Sequence, residues 1–112
     1  KQNTMKLLKL ISYLINNEKL KVLYQEQELN TESDALIIYM KNALDLESEI
    51  SIFEIEETED ELVFEKDGYV YHQLFSIDYS IELIESDLNM KNKGYSDLEI
   101  AQRLLEYRLN DA

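Results

Sequence analysis

The chain has 112 residues, 45% apolar and 31% charged, and its 24 Asp and Glu outweigh 11 Lys and Arg for a formal net charge of −13. Length and composition describe one globular domain rather than a fibrous, disordered or membrane-spanning chain. The sign of the charge argues against direct nucleic-acid binding, which needs Lys and Arg to displace the counterions condensed on phosphates. Cysteine is absent, which excludes disulfides and thiolate metal sites and leaves packing as the source of stability.

The segment MKLLKLISYLI from Met5 is interrupted by Lys9 and Tyr13 and lacks the clean apolar region and small-residue cleavage site of a signal peptide. No apolar run approaches the roughly 18 residues of a membrane span. The chain starts at Lys1 rather than Met, so a trimmed start is expected and localisation is not read from that end. Met5, Leu8, Ile11, Leu14 and Ile15 keep helical spacing, which predicts a helix from Thr4 to Ile15. Asn16 and Asn17 break it, and Leu20, Leu23 and Tyr24 then suggest a helical piece or an irregular strand up to Leu29. Thr31 with Asp34 three residues on resembles an N-cap, followed by a stripe of Ala35, Ile38, Tyr39 and Ala43. A helix over Glu32–Leu44 is expected.

From Glu49 to Phe75 β-branched and aromatic residues occur in short runs between acidic or Gly-containing turns. Strands are predicted at Ile50–Glu56, Glu61–Glu65 and Tyr69–Leu74, forming an antiparallel meander. A three-residue loop with Gly68 left-handed pairs Glu65 with Tyr69, Phe64 with Val70 and Leu62 with His72. Leu62, Phe64, Val70, His72 and Leu74 then face the core, and Glu61, Val63, Glu65, Tyr69, Tyr71 and Gln73 the other side. A two-residue Asp67-Gly68 turn exchanges the faces of the last strand. Ser76 opens a helix with Ile77, Ile81, Ile84 and Leu88 on one side, ending in Lys91 and Lys93 before Gly94. Ser96-Asp97-Leu98-Glu99 is a capping box, with Tyr95 and Ile100 as its hydrophobic staple, and starts a helix from Asp97 to Leu109. Without repeat or linker, residues 1–112 read as a single α+β domain: N-terminal helices, a three-stranded antiparallel meander and two C-terminal helices.

The charge is unevenly spread. Residues 45–87 carry −14 and the remainder is nearly neutral. Glu54, Glu56, Glu57, Glu59, Asp60 and Glu61 crowd the end of the first predicted strand, while Asp78, Glu82 and Glu85 share one helix stripe with Asn89. Such crowding destabilises the compact state by self-repulsion, which an oppositely charged partner relieves; a solvated face that maintains solubility explains the same charges. Eight tyrosines add contact area of the kind enriched at binding hot spots. The candidate partner-binding residues are therefore Glu56, Glu57, Glu59, Asp60, Glu61, Glu65, Tyr69, Tyr71, Asp78, Glu82 and Glu85.

Catalytic signals are sparse. His72 is the one histidine, with neither Cys nor a second His to complete a zinc site or nucleophile pair. Gly68 and Gly94 alone make no phosphate-cradling loop. The Glu56–Glu61 cluster lacks EF-hand spacing, and Asp78 with Glu82 reads as an exposed i,i+4 pair rather than a glycosidase dyad. No cofactor and no enzymatic activity are expected.

The stretch Phe75–Ala112, FSIDYSIELIESDLNMKNKGYSDLEIAQRLLEYRLNDA, covers about a third of the chain. It resembles the C-terminal portion of small bacterial immunity proteins that accompany polymorphic toxins, including those of contact-dependent growth inhibition systems. The shared pattern is a strand leading into a helix and then a capped last helix, here Gly94-Tyr95-Ser96-Asp97-Leu98-Glu99-Ile100-Ala101. The resemblance implies a cytoplasmic inhibitor that neutralises a cognate toxin by tight one-to-one binding. No partner-binding residue transfers by position, because contact surfaces in such families vary with the toxin. Many such toxin domains are basic nucleases, so an acidic inhibitor gains steered association. The expected partner is a basic protein, with no direct nucleic-acid or membrane contact. Two alternatives stay open: a nucleic-acid mimic that blocks a host DNA-binding enzyme, and an adaptor domain with a solvated acidic face.

Overall fold

The computed structural model describes residues 5–87 and 94–111. In chain order it contains β1 (Met5–Lys6), α1 (Leu7–Leu14), α2 (Asn17–Glu26), β2 (Leu36–Lys41), β3 (Glu49–Glu54), α3 (Ile55–Thr58), β4 (Val63–Lys66), β5 (Tyr69–Ser76), α4 (Ile77–Glu82), a π-helical turn (Leu83–Asp87) and α5 (Asp97–Asp111). The strands form one five-stranded antiparallel sheet in the order β1-β3-β2-β5-β4. The class is α+β, with five strands where the sequence predicts three.

The largest correction concerns Glu32–Leu44, expected as a helix. Its core, Leu36–Lys41, is the central strand β2 instead, with Ile37, Ile38, Tyr39 and Met40 all buried. A strand covered on both faces is a continuous apolar run, and periodicity alone does not separate that from a buried helix. Thr31 and Asp34 accordingly lie in the preceding loop, where Asn30 Oδ1 accepts from the Glu32 amide at 3.1 Å. Since β2 pairs with both β3 and β5, β3 is not beside β4 as the predicted meander requires, and of that meander only the β4–β5 pairing is formed. The predicted strand to Glu56 also stops early: Glu54 turns the chain into the single helical turn α3. At the N-terminal end Met5 and Lys6 pair with Ile50 and Glu49 as β1, so α1 begins at Leu7; Thr4 is outside the described residues. The stretch after Ile15, expected as a helical piece or an irregular strand, is the helix α2, whose cap is Asn16: Oδ1 accepts from Glu18 N at 2.9 Å and Lys19 N at 3.2 Å.

The β4–β5 hairpin closes through the two-residue turn, with Lys66 opposite Tyr69, Phe64 opposite Tyr71 and Val63 opposite His72. Asp67 and Gly68 both have positive φ, 54° and 84°, as a type I′ turn requires. That turn twists in the same sense as the strands it joins. The three-residue register is overturned: Phe64 shares its face with Tyr69 and Tyr71, and Val63 and Glu65 are on the other. Leu62 is exposed rather than core, while Leu74 is buried as expected.

Alternation along β2 sorts the two faces. Ile38 and Met40, with Ile50 and Leu74, join Leu7, Leu10, Ile11 and Leu14 of α1, Leu23 of α2, Ile77 of α4, and Ile100, Ala101 and Leu104 of α5 in the main core. Ile37 and Tyr39 point the opposite way and cluster with Tyr71, Phe53, Phe64 and Ile55. The C-terminal capping box is formed as expected: Ser96 Oγ accepts from Glu99 N at 3.2 Å and Glu99 Oε1 accepts from Ser96 N at 3.0 Å. Arg108 Nε donates to Gln73 O at 3.0 Å and ties α5 to β5. Leu88, Asn89, Lys91 and Lys93 fall outside the described residues.

Candidate functional site

The strand directions decide where the charge collects. β2 and β4 begin, and β3 and β5 end, at the same end of the sheet, so the segments 31–35, 54–62 and 76–78 emerge there together. They hold nine carboxylates and neither Lys nor Arg. Three features hold this rim in place. Glu56 reaches across to the loop before β2: Ser33 Oγ donates to Oε1 at 2.5 Å and the Asp34 amide to Oε2 at 3.0 Å. These donors stabilise the carboxylate, the Ser33 hydroxyl most, and hold its pKa below the ordinary value. Tyr39, fully buried, donates its hydroxyl to Glu61 O at 2.6 Å. Gln73 Nε2 donates to Asp60 Oδ1 at 3.0 Å and to Tyr39 Oη at 3.2 Å.

Between these anchors the backbone is strained. Glu59 and Asp60 both lie in the left-handed region, with φ of 55° and 58°, which costs a residue such as Glu59 roughly 1–2 kcal/mol and Asp60 less, since aspartate adopts it more readily. Glu59 N still bonds Ile55 O at 2.8 Å, and Thr58 Oγ1 accepts from Asp60 N at 3.2 Å. The rim is a folded turn of carboxylates rather than a floppy acidic loop.

Beside it lies the sheet face turned away from the main core. Tyr39, Phe53, Phe64 and Tyr71 meet there edge to face, with centroid separations of 5.1–6.2 Å. Among the described residues only Ile55 of the α3 turn brings a helical side chain to this cluster. Two lysines lie over its far side. Lys41 Nζ sits 3.6 Å from the Tyr69 ring centre, and Lys66 Nζ is 5.2 Å from that of Phe53 while bonding Glu57 Oε2 at 2.5 Å. The Glu57 carboxylate raises the Lys66 pKa.

The candidate residues divide accordingly. Glu56, Glu57, Glu59, Asp60 and Glu61 gather at the rim, exposed. Asp78 joins them through a cleft of about 160 Å³ that it lines with Tyr24, Ser33 and Asp34. Burial raises the Tyr24 pKa, and the Asp78 carboxylate adds to it. Glu82 and Glu85 are exposed farther along α4 and the π-helical turn. Glu65 is on the opposite face of β4 from Tyr69 and Tyr71. Tyr71 is buried among the aromatic rings, and Tyr69, 46% exposed, stands at the hairpin end. Sequence reasoning missed Glu32, Ser33 and Asp34 as rim residues. Their signal was the polar cluster Thr31-Glu32-Ser33-Asp34 ahead of a β-branched run, a loop signature that helical spacing overrode.

Among the described residues no group of three or more His, Asp or Glu is placed to hold a metal ion, and no helix is long and apolar enough to cross a membrane. No family model matches the chain, and neither does any curated protein or solved structure.

Proposed function

We propose that this chain is an immunity-type inhibitor of bacterial origin: a non-catalytic, cytoplasmic protein that binds a basic cognate toxin domain, a nuclease, one to one and covers its active site or substrate-binding surface. The observation that carries this reading is the convergence of three separate acidic segments on one end of the sheet, beside a face of packed aromatic side chains. The carboxylate at Glu59 supports it further. Glycine, asparagine or aspartate adopts a left-handed backbone at lower cost than glutamate, so charge is held at Glu59 against the local preference. A nucleic-acid mimic calls instead for two extended rows of carboxylates spaced like duplex phosphates, and a rim at one end of a sheet fits an inhibitor better.

The test is growth rescue. The chain is co-expressed with the basic C-terminal domains of large secreted proteins encoded beside it, and one of them is expected to be neutralised and to co-purify at one-to-one stoichiometry. Association should slow by about tenfold or more between low and high salt, and Glu82→Lys with Glu85→Lys should slow it at low salt. Absence of rescue by any adjacent domain defeats the reading; rescue with a salt-independent on-rate defeats its electrostatic part.

A further inference from the structure

β4 is an edge strand, paired with β5 on one side and with no described strand on the other. In an antiparallel ladder the main-chain groups of successive residues point to alternate sides. Leu62 O accepts from Gln73 N at 2.9 Å, and Phe64 and Lys66 lie opposite Tyr71 and Tyr69, so these three residues bond inward. The N–H and C=O of Val63 and Glu65 therefore point outward. Native edges are usually shielded by charged side chains or a covering element. Here the charges along the edge are the carboxylates of Glu61 and Glu65, because Lys66 is drawn back across the sheet to Glu57, and Leu62 and Val63 between them are 60% and 50% exposed.

We infer that the β4 edge docks an extended, basic segment of the partner, which adds to the sheet as a further strand. Charge complementarity selects that occupant. Glu65 shares a face of β4 with Val63 and Glu61 stands two residues before it, both exposed, so a strand with Lys or Arg opposite them and apolar residues opposite Leu62 and Phe64 complements the edge. Main-chain hydrogen bonds supply affinity in this mode, and alternate side chains supply specificity. A second copy fits poorly: setting Phe64 across from Phe64 places Val63 against Glu65 twice and joins two chains each carrying −13. The inference rests on the proposed function only for the sign of the partner's charge.

The probe is a capped heptapeptide, Thr-Lys-Val-Thr-Val-Lys-Thr, titrated into the whole chain and followed by amide NMR. The Val63 and Glu65 amides should shift and their exchange should slow. N-methylation of the two Lys and the central Thr, which blocks the peptide's donors, should weaken binding at least about tenfold, as removal of several hydrogen bonds requires. Val63→Pro should weaken it similarly, because proline is tolerated at an outward-facing edge position. Should that variant disturb the hairpin, the N-methylated peptide on the unaltered protein decides. Equal affinity for the N-methylated peptide, shifts confined to residues 54–61, self-association through β4, or no binding at millimolar peptide each overturns the inference. No toxin enters this experiment. A failed growth rescue thus leaves the edge result standing, and a failed peptide titration leaves the inhibitor reading standing.

Discussion

Replacing Tyr39 by Phe removes one hydroxyl from the join between sheet and acidic rim. The ring is fully buried, and its contacts to Phe53 and Phe64, at 5.7 and 6.2 Å between centroids, survive the change. What is lost is the donation to Glu61 O at 2.6 Å and the acceptance from Gln73 Nε2 at 3.2 Å. Gln73 keeps Asp60 Oδ1 at 3.0 Å, and Glu61 is exposed, so water replaces part of the loss. The net cost is then about 1–1.5 kcal/mol, the ordinary worth of a neutral hydrogen bond, rather than the full penalty of a stranded buried group. At about 2.1 cal/mol/K per residue over 112 residues, unfolding entropy is about 235 cal/mol/K, so Tm should fall by about 4–6 °C. Circular dichroism melts measure that shift, and amide exchange at Glu59–Glu61 should quicken more than exchange in the helices. If Tm stays within about 1 °C and the exchange rates are unchanged, Tyr39 does not hold the rim and the account of its anchoring is wrong.

Three further outcomes follow from the same contacts. In Ser33→Ala the Glu56 pKa should rise towards its ordinary value of 4.5, read from carboxyl carbon shifts. Because the folded value is depressed, Glu56 contributes stability above the unfolded pKa and loses it as pH falls through the folded one, so Ser33→Ala should flatten acid destabilisation below about pH 4.5; an unmoved titration contradicts the Ser33 bond. Glu59→Gly should raise stability by about 1 kcal/mol through relief of the left-handed backbone while weakening partner association, and a destabilised variant would show that the Glu59 side chain has a structural role. Leu74→Ala, at a site 1% exposed between sheet and helices, should cost about 2–5 kcal/mol in chemical denaturation; a loss below 1 kcal/mol would mean that β5 is not seated in the main core.

Local signals in the chain were accurate where neighbours in sequence do the work. The Ser96–Glu99 capping box, the Ser76 cap, which accepts from Tyr79 N at 3.1 Å, and the existence of a strand from Tyr69, expected to Leu74 and running to Ser76, all depend on residues a few positions apart. Leu36–Lys41 was misread because its buried neighbours come from β3 and β5, and a run apolar on every side has no period to betray it. The hairpin register was open between two turns, and the twist of the paired strands favoured Asp67-Gly68 with both residues left-handed.

The candidate site shows the same division. Composition and segment charge alone established that the excess negative charge belongs to residues 45–87, because charge is additive along a chain. Only the tertiary structure decided which of those carboxylates stand together. The antiparallel order β3-β2-β5-β4 returns three distant segments to one end of the sheet and recruits Asp34 beside Glu56 and Asp78. It also buries Tyr71 and separates Glu65 from the aromatic face. Proximity is a property of strand pairing, and long-range pairing is set by which faces bury apolar area together, which no single segment encodes.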